Sequence, residues 1–388
     1  MVIIDFYYNW KTVKLDINPE IPVSALFATL NETFQIQNPI DEIVFLYYGK
    51  KIEINDQPFH EVFGELESVN EVHIGFKNEI AIIDEFCVKN IPSLKYEAIM
   101  MDARLVSFLR HLNGLHKIIG KIYESQINFD DLIPKEMIVE NDIDTLRNLA
   151  KWFTNSLMIW LEVPFCNYCK TKMMFSEYCS PSASDKEKGA DASRKYKCRQ
   201  CKSAKRIPIF FNAQDILNIR RGMSAEYCIL FGAILRKFGF ECRIARDIFI
   251  NYLWLEVYSD NIGRFIHVDP VAGLVNCPFI YEVGNKLNIS RVISVGLHEL
   301  FDVTSRYVVN IDNIAYVRKA DAREEYYQQA IGMRNIMWSY GLPQEMVQKL
   351  EARKNKEYED LVPQERKPSP EEKVRNSKID AELAKNKI

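Results

Sequence analysis

Two Cys-x2-Cys pairs, Cys166 with Cys169 and Cys198 with Cys201, have 28 residues between them. Each short turn points two sulfurs at one place, and four thiolates so spaced make the tetrahedral set that Zn2+ accepts. The expectation is one Zn2+ per chain on Cys166, Cys169, Cys198 and Cys201. With no open coordination position and no nearby histidine, the metal would be structural, clipping a long loop onto its domain. Two other readings stay open at this point. One is a redox pair, which needs a single CxxC beside a thioredoxin-like βαβ pattern, and the other is cysteines that bind nothing. Cys179, between the pairs, reads as a bystander. Nine cysteines with this spacing imply thiols kept reduced for metal rather than a disulfide framework, and hence the cytosol.

A chain of 388 residues is too long for one small core, so two or three domains are expected. Fifty basic against 53 acidic residues leave a net charge of −3, without the positive excess that phosphate backbones favour; nucleic acid is not the expected partner. The start, MVIIDFYYNW, has no basic n-region and no small-residue cleavage site, and no run of about 18 apolar residues occurs. A soluble intracellular protein with no membrane partner is expected.

Along the chain, VIIDFYY and TVKLDI are β-rich runs separated by Asn9-Trp10-Lys11, a hairpin signal. The helical pattern VSALFATLNETF follows, then EIVFLYYGKKI and EVHIGF, so residues 1–77 read ββαβ…β with a glycine turn at Tyr48-Gly49-Lys50. This order resembles the ubiquitin-like β-grasp fold, with some other small α+β roll as the alternative. The segment runs on past Gly75-Phe76-Lys77 with no terminal diglycine, so the resemblance implies a built-in docking module. The usual docking face would carry Leu46, His73 and Gly75. Residues 78–147 read as a helical spacer, because EAIMMDARLVSFLRHLNGLHKIIGKIYESQ and DIDTLRNLAKWFTNSLMIWLE place apolar residues at i, i+3, i+4 and i+7. Residues 181–196 are Ser/Lys/Asp-rich and read as a mobile loop. A C-terminal helix is expected over 321–355, and residues 356–388, dense in charge and proline, read as a disordered tail.

From WFTNSLMIWLEVPFCNYC through the second CxxC to IRRGMSAEYCILFGAILRKFGFECRIARD, YLWLEVY, RFIHVDP, PFIYEVGNKLNISRVISV and ELFDVTSRY, about residues 148–320 resemble the transglutaminase-like core of cytoplasmic peptide:N-glycanase. The resemblance implies a papain-like α+β domain with a zinc lobe, following the β-grasp domain. It also implies hydrolysis of the amide joining an N-glycan to asparagine, on misfolded glycoproteins bound for proteasomal destruction. The family's nucleophile is a cysteine in R-R-G-R-C-G-E-W-A-N, its base a histidine opening H-V-W-T-E-V-Y, and its third member an aspartate in H-x-D. Here Arg220, Arg221, Gly222 and Glu226 match, but Ser224 stands at the nucleophile and Tyr252 at the base. Trp254 is retained behind Tyr252, and His267 and Asp269 match the third motif. Asp269 is thus what remains of the triad, with Glu226, Trp254 and His267 as cleft residues. Further departures are Met223, Ala225, Tyr227, Ile229, Asn285-Lys286 and Ser305, most of them expected around the cleft.

A thiol with an ordinary pKa of about 8.5 is drawn toward thiolate at a helix start beside an imidazolium. Serine instead needs a base within hydrogen-bond reach, and tyrosine, with an ordinary pKa of about 10, is a poor one. Cys228, one turn below Ser224, reads as a core thiol, His267 as a residue supporting the triad from behind, and Ser224 itself as a helix N-cap. The expectation is a catalytically degenerate homologue in the cytoplasm, with the nucleus as a further compartment. It would bind N-glycoproteins, proteasome subunits, a segregase ATPase or ubiquitin-receptor proteins in ER-associated degradation. Two alternatives are a Ser224-based amidase and the DNA-damage recognition branch of the superfamily.

Overall fold

The structure is a computed structural model describing residues 2–8, 11–34, 36, 40–47, 50–63, 70–76, 103–127, 132–311, 314, 324–339, 342–361 and 366–383. The chain divides into two compact units, residues 1–111 and 112–388.

In the first unit, β1 (Val2–Tyr8) and β2 (Lys11–Ile17) form a hairpin, followed by α1 (Val23–Phe34), β3 (Ile43–Tyr47), β4 (Lys50–Glu53), the short α2 (Phe59–Phe63) and β5 (Asn70–Phe76). The sheet order is β2-β1-β5-β3-β4, with β1 and β5 parallel at its centre. Alternation drives the strands: Ile4 and Phe6 are fully buried, one pleat apart. In α1, Val23, Leu26, Phe27, Leu30 and Phe34 recur at helical spacing, and all are buried. Leu46 pairs with His73 and Val44 with Gly75 in the β3·β5 register. Tyr48, Gly49 and Lys77, named in the sequence reading, lie outside the described residues.

Of the helical spacer expected over 78–147, residues 103–127 and 132–147 are described. Residues 77–102 lie outside the described residues, and α3 (Ala103–Tyr123) runs across the division between the two units. From Leu112 onward its residues are fastened within the second unit: the His116 Nε2 meets the Leu297 carbonyl at 2.8 Å, and the Tyr123 hydroxyl donates to the Cys242 carbonyl at 3.2 Å. The helix α4 (Asp142–Trp152) ends in a wide i→i+5 turn, Met158 N–H to Phe153 carbonyl at 2.9 Å, before the short strand β6 (Ile159–Trp160).

Strands β7 (Met174–Cys179), β8 (Ala192–Lys197) and β9 (Ala204–Ile209) make a three-stranded antiparallel sheet, with α5 (Ala183–Glu187) between the first two. The stretch read as a mobile loop, 181–196, is therefore largely ordered. Ser193 and Arg194 are buried there, on a strand whose polar composition hid partners far along the chain. Next come α6 (Ala213–Ile219), β10 (Arg221–Gly222) and the buried helix α7 (Ser224–Lys237). An antiparallel six-stranded sheet ordered β14-β13-β12-β11-β15-β16 follows, from β11 (Cys242–Asp247), β12 (Trp254–Ser259), β13 (Arg264–Asp269), β14 (Leu274–Val275), β15 (Val292–Val295) and β16 (Leu300–Asp302).

The C-terminal region differs most from expectation. Instead of one helix over 321–355 there are two, α8 (Glu324–Ser339) and α9 (Gln344–Asp360), with Pro343 at the start of the second. The fully buried Arg243 lies 2.7 Å from Glu299 and 3.2 Å from Glu357 of α9, while Arg306 joins Glu357 to Glu256. Nor is the tail disordered where it is described. Residues 366–383 pack on the domain and end in α10 (Ser377–Leu383), with Ile379 and Glu372 fully buried. Glu372 is satisfied by the Phe279 N–H at 2.9 Å and by Arg366. A charge-rich composition stays unfolded only if its charges find no partners, and these do.

Candidate active site and metal centre

Arg220 closes α6 in the left-handed conformation at φ 52°, and Arg221-Gly222 then pairs in parallel with Ile159-Trp160. Gly222 cannot carry a side chain, since an added Cβ would fall 2.4 Å from the Glu226 Cβ. Met223 takes the extended N-cap position, and Glu226 turns back to accept its N–H at 3.0 Å. Ser224 is therefore the first helical residue and not the N-cap. Glu226 has taken over the capping duty, which leaves the Ser224 hydroxyl to bond elsewhere.

It bonds to the C-terminal segment. Ser224, 1% exposed, donates its hydroxyl to one oxygen of Glu382 at 2.7 Å and its N–H to the other at 3.2 Å. A carboxylate on a helix N-terminus is electrostatically favourable. Among the described residues, the partner of the Ser224 hydroxyl is thus a carboxylate and not an imidazole.

Glu226 does not line a cleft. It is 2% exposed and takes a two-pronged bond from Arg194 of β8, at 2.7 and 2.8 Å. Burial pushes its carboxyl up, but the guanidinium and the Met223 amide together outweigh that and hold it below the ordinary value. This pair ties the three-stranded sheet to the first turn of α7.

The other end of the site is built on β12 and β13. Tyr252, fully buried just ahead of β12, donates to both oxygens of Asp269, at 3.1 and 3.0 Å. Asp269 also accepts from the Tyr281 hydroxyl at 3.1 Å and from the amides of Val271 and Ala272, both at 2.9 Å. Burial, and then the Asp269 charge, push the Tyr252 phenol well above its ordinary pKa, so it holds its proton and cannot act as a base. His267 accepts the Cys277 N–H on Nδ1 at 3.2 Å, which puts its proton on Nε2, facing the Tyr281 oxygen at 2.8 Å. Burial, then the Arg366 charge, lowers its pKa to about 3, so it is neutral and meets Asp269 only through Tyr281. Trp254 is 1% exposed and stacks on Tyr281 at 4.2 Å between centroids. Trp254 and His267 therefore sit beneath the site and do not line it.

Cys228 is fully buried, and burial drives its thiol well above the ordinary pKa. Tyr227 and Ile229, expected at the cleft, are completely buried, Tyr227 packing edge-on against Phe153 at 5.6 Å. Sequence reasoning missed Arg194, Tyr281 and Glu382. For Glu382 the available signal was the spacing of Ile379 and Leu383 within SKIDAEL, one apolar edge on a short helix.

The four candidate metal ligands come together, their sulfurs all within 4.8 Å of one another. A tetrahedral ion with sulfur bonds of about 2.3 Å needs sulfurs about 3.8 Å apart, and Cys166 and Cys201 stand at 3.5 Å. The two turns share one backbone design. Lys170 N–H returns to the Cys166 carbonyl at 3.0 Å and Lys202 N–H to the Cys198 carbonyl at 3.1 Å, with both lysines left-handed at φ 56° and 60°. Each turn also serves the other: Ser203 Oγ lies 3.2 Å from the Cys166 sulfur and Thr171 Oγ1 lies 3.5 Å from that of Cys198. The Cys169 amide and then the Ser203 hydroxyl bring the Cys166 thiol down to about 6, and the Cys201 amide lowers Cys198 likewise. Cys169 goes the other way, pushed up to about 12 by the Cys201 side chain and then by burial. It is the convergence of four sulfurs that lets this set hold a metal ion.

Residues 174–270 match the family model of the transglutaminase-like superfamily. The chain is 34% identical over 173 residues to a peptide-N(4)-(N-acetyl-beta-glucosaminyl)asparagine amidase of Gallus gallus, covering 44% of this chain and 26% of that protein. It is 30% identical over 377 residues to the amidase of the same name from Caenorhabditis briggsae, covering 95% of this chain and 61% of that one. The chain thus spans less than two thirds of the length of these relatives. Among solved structures, a chain of the crystal structure of Rad4-Rad23 bound to a 6-4 photoproduct UV lesion aligns over 67% of this chain and 58% of its own, at 13% identity and a TM-score of 0.40.

Proposed function

From the premise that the chain belongs to the transglutaminase-like superfamily and is a homologue of the peptide:N-glycanases within it, we propose that it is a catalytically degenerate member that binds where its relatives cleave. The observation that carries this is the pairing of Tyr252 with Asp269. The carboxylate that would orient a general base holds a phenol that keeps its proton, so nothing at that position can take one from Ser224. The ligand is an N-glycoprotein or a partner in ER-associated degradation, namely a proteasome subunit, a segregase ATPase or a ubiquitin-receptor protein. The first unit acts as a ubiquitin-like docking module, which its sheet order supports. The four cysteines hold one Zn2+ as a structural ion. The place of action is the cytoplasm, with the nucleus as a further compartment.

One observation favours a second reading, a serine amidase: the Ser224 hydroxyl is 2.7 Å from the Glu382 carboxylate. An assay of glycan release from a denatured N-glycoprotein separates the two. The degenerate reading expects no release from the unaltered protein. Clear release, abolished by Ser224→Ala, would replace it with the amidase.

A further inference from the structure

We propose that the end of the site at the N-terminus of α7 is a binding site for a peptide segment that presents a carboxylate, and that its occupant is this chain's own residues 366–383, with Glu382 as the anchoring carboxylate. The inference goes beyond the degenerate-enzyme reading and stands whether or not the site keeps any chemistry.

The carboxylate does not rest on a helix end alone. Glu382 takes both the hydroxyl and the amide of Ser224, and the segment is gripped at further points. Asn285, 3% exposed, donates to the Asn376 carbonyl at 2.8 Å and to Asp380 at 3.1 Å, and accepts the Asn376 N–H at 3.3 Å. Lys378 donates to the Val271 carbonyl at 3.3 Å, two residues past Asp269. Glu372 accepts the Phe279 amide. Ile379 is completely buried between these polar anchors. The groove is shaped for close approach at Gly284, where an added Cβ would fall 2.7 Å from the Val374 carbonyl.

Ser224 and Asn285, two positions where this chain departs from the pattern it resembles, are thus both partners of this segment. A third, Ser305, donates to the carbonyl of Leu361 at the end of α9, at 2.8 Å. Ser224, at the reactive cysteine's position, and Asn285 thus supply bonds that hold the peptide. A carboxylate on the first amide of α7 and on the hydroxyl at the nucleophile's position lies where an acyl oxygen would be received. A peptide seated there fills that end of the site, so a ligand that binds where the relatives cleave must first displace it.

The test uses the full chain and hydrogen exchange, which reads local opening residue by residue. In the unaltered protein, amides 378–383 should exchange at least about 100-fold more slowly than in a free peptide of residues 366–388. Glu382→Gln should speed those amides and the Ser224 amide by about tenfold or more, whereas Glu351→Gln, on the exposed side of α9, should change neither. Free-peptide exchange rates in the unaltered chain, or no response to Glu382→Gln, overturns the proposal. A full chain carrying Glu382→Gln with Ile379→Asp, which cannot seat its own segment, should bind a fluorescent 366–388 peptide and not the same peptide with both substitutions. Failure of that variant to bind the unaltered peptide, with its folding confirmed by circular dichroism, makes the segment a fixed part of the fold and overturns the site.

Discussion

The Tyr252 hydroxyl reaches both carboxylate oxygens of Asp269, at 3.1 and 3.0 Å. With Tyr281 and two amides also donating to it, Asp269 is fully engaged. An imidazole placed at 252 would have to share that carboxylate. Ser224→Cys or Tyr252→His alone should therefore leave glycan release undetectable, since catalytic groups that act as a unit do not add. The double variant should give a trace. Adding Glu382→Gln should raise that trace by about tenfold or more, because it weakens the bond at the nucleophile's position. An assay on denatured N-glycoprotein, with metal content matched, checks the series. Full activity from Ser224→Cys alone would mean that another residue is the base, and from Tyr252→His alone that Ser224 suffices as the nucleophile.

Metal should be required for folding rather than for chemistry. Cys198→Ser removes one of four ligands from a centre whose hydroxyls and amides are already arranged around thiolates. Structural zinc contributes on the order of 10 kcal/mol of folding free energy. The variant should therefore be insoluble or cut rapidly by protease, and the unaltered protein should hold one zinc per chain by elemental analysis. Folded, soluble protein without zinc would refute this.

Arg194 and Glu226 test how the three-stranded sheet is held to α7. Arg194→Met leaves a buried carboxylate without its counter-charge and should cost about 3–5 kcal/mol in denaturant unfolding. Adding Glu226→Gln removes the stranded charge and should recover part of that loss. Additive losses would mean that the two groups do not act as a pair.

The knuckles were legible in the sequence because their chemistry is local: four cysteines, two short turns. The strands of the first unit were legible because VIIDFYY and TVKLDI are β-rich runs split by a polar break, and α1 because its apolar residues recur every three or four positions. The role of Ser224 was not, since its partner Glu382 lies 158 residues away. Glu372 looked like one more charge in a solvated tail until its partner, the Phe279 amide, proved to be 93 residues distant. Arg194 was hidden in the same way among serines and lysines. In each case local composition reports a charge, whereas only the fold reports whether that charge is satisfied.

The first unit has a core of its own, in which Ile4, Phe6, Leu26, Leu30, Phe45 and Val72 pack together. A fragment of residues 1–77 should therefore give a dispersed amide spectrum, as expected of a segment with its own core. A collapsed spectrum would show that residues beyond 77 complete it.

His267 should make the protein sensitive to mild acid. Its folded pKa is depressed to about 3 by burial and by Arg366, against an ordinary value of about 6.5 in the unfolded chain. Above pH 6.5 the ring is neutral in both states and costs nothing. As the pH falls below 6.5 the unfolded chain takes up a proton that the folded one refuses, so stability declines until the folded pKa is reached. Between pH 7 and pH 5 that amounts to about 2 kcal/mol. Asp269, held above its ordinary value by burial, titrates with the opposite sign, so the histidine's share is read from a difference. His267→Gln keeps a polar group to meet the Cys277 amide and the Tyr281 hydroxyl but cannot titrate. Denaturant unfolding at the two pH values should show the unaltered chain losing about 2 kcal/mol more than this variant. Equal losses would mean that His267 is not buried in its neutral form.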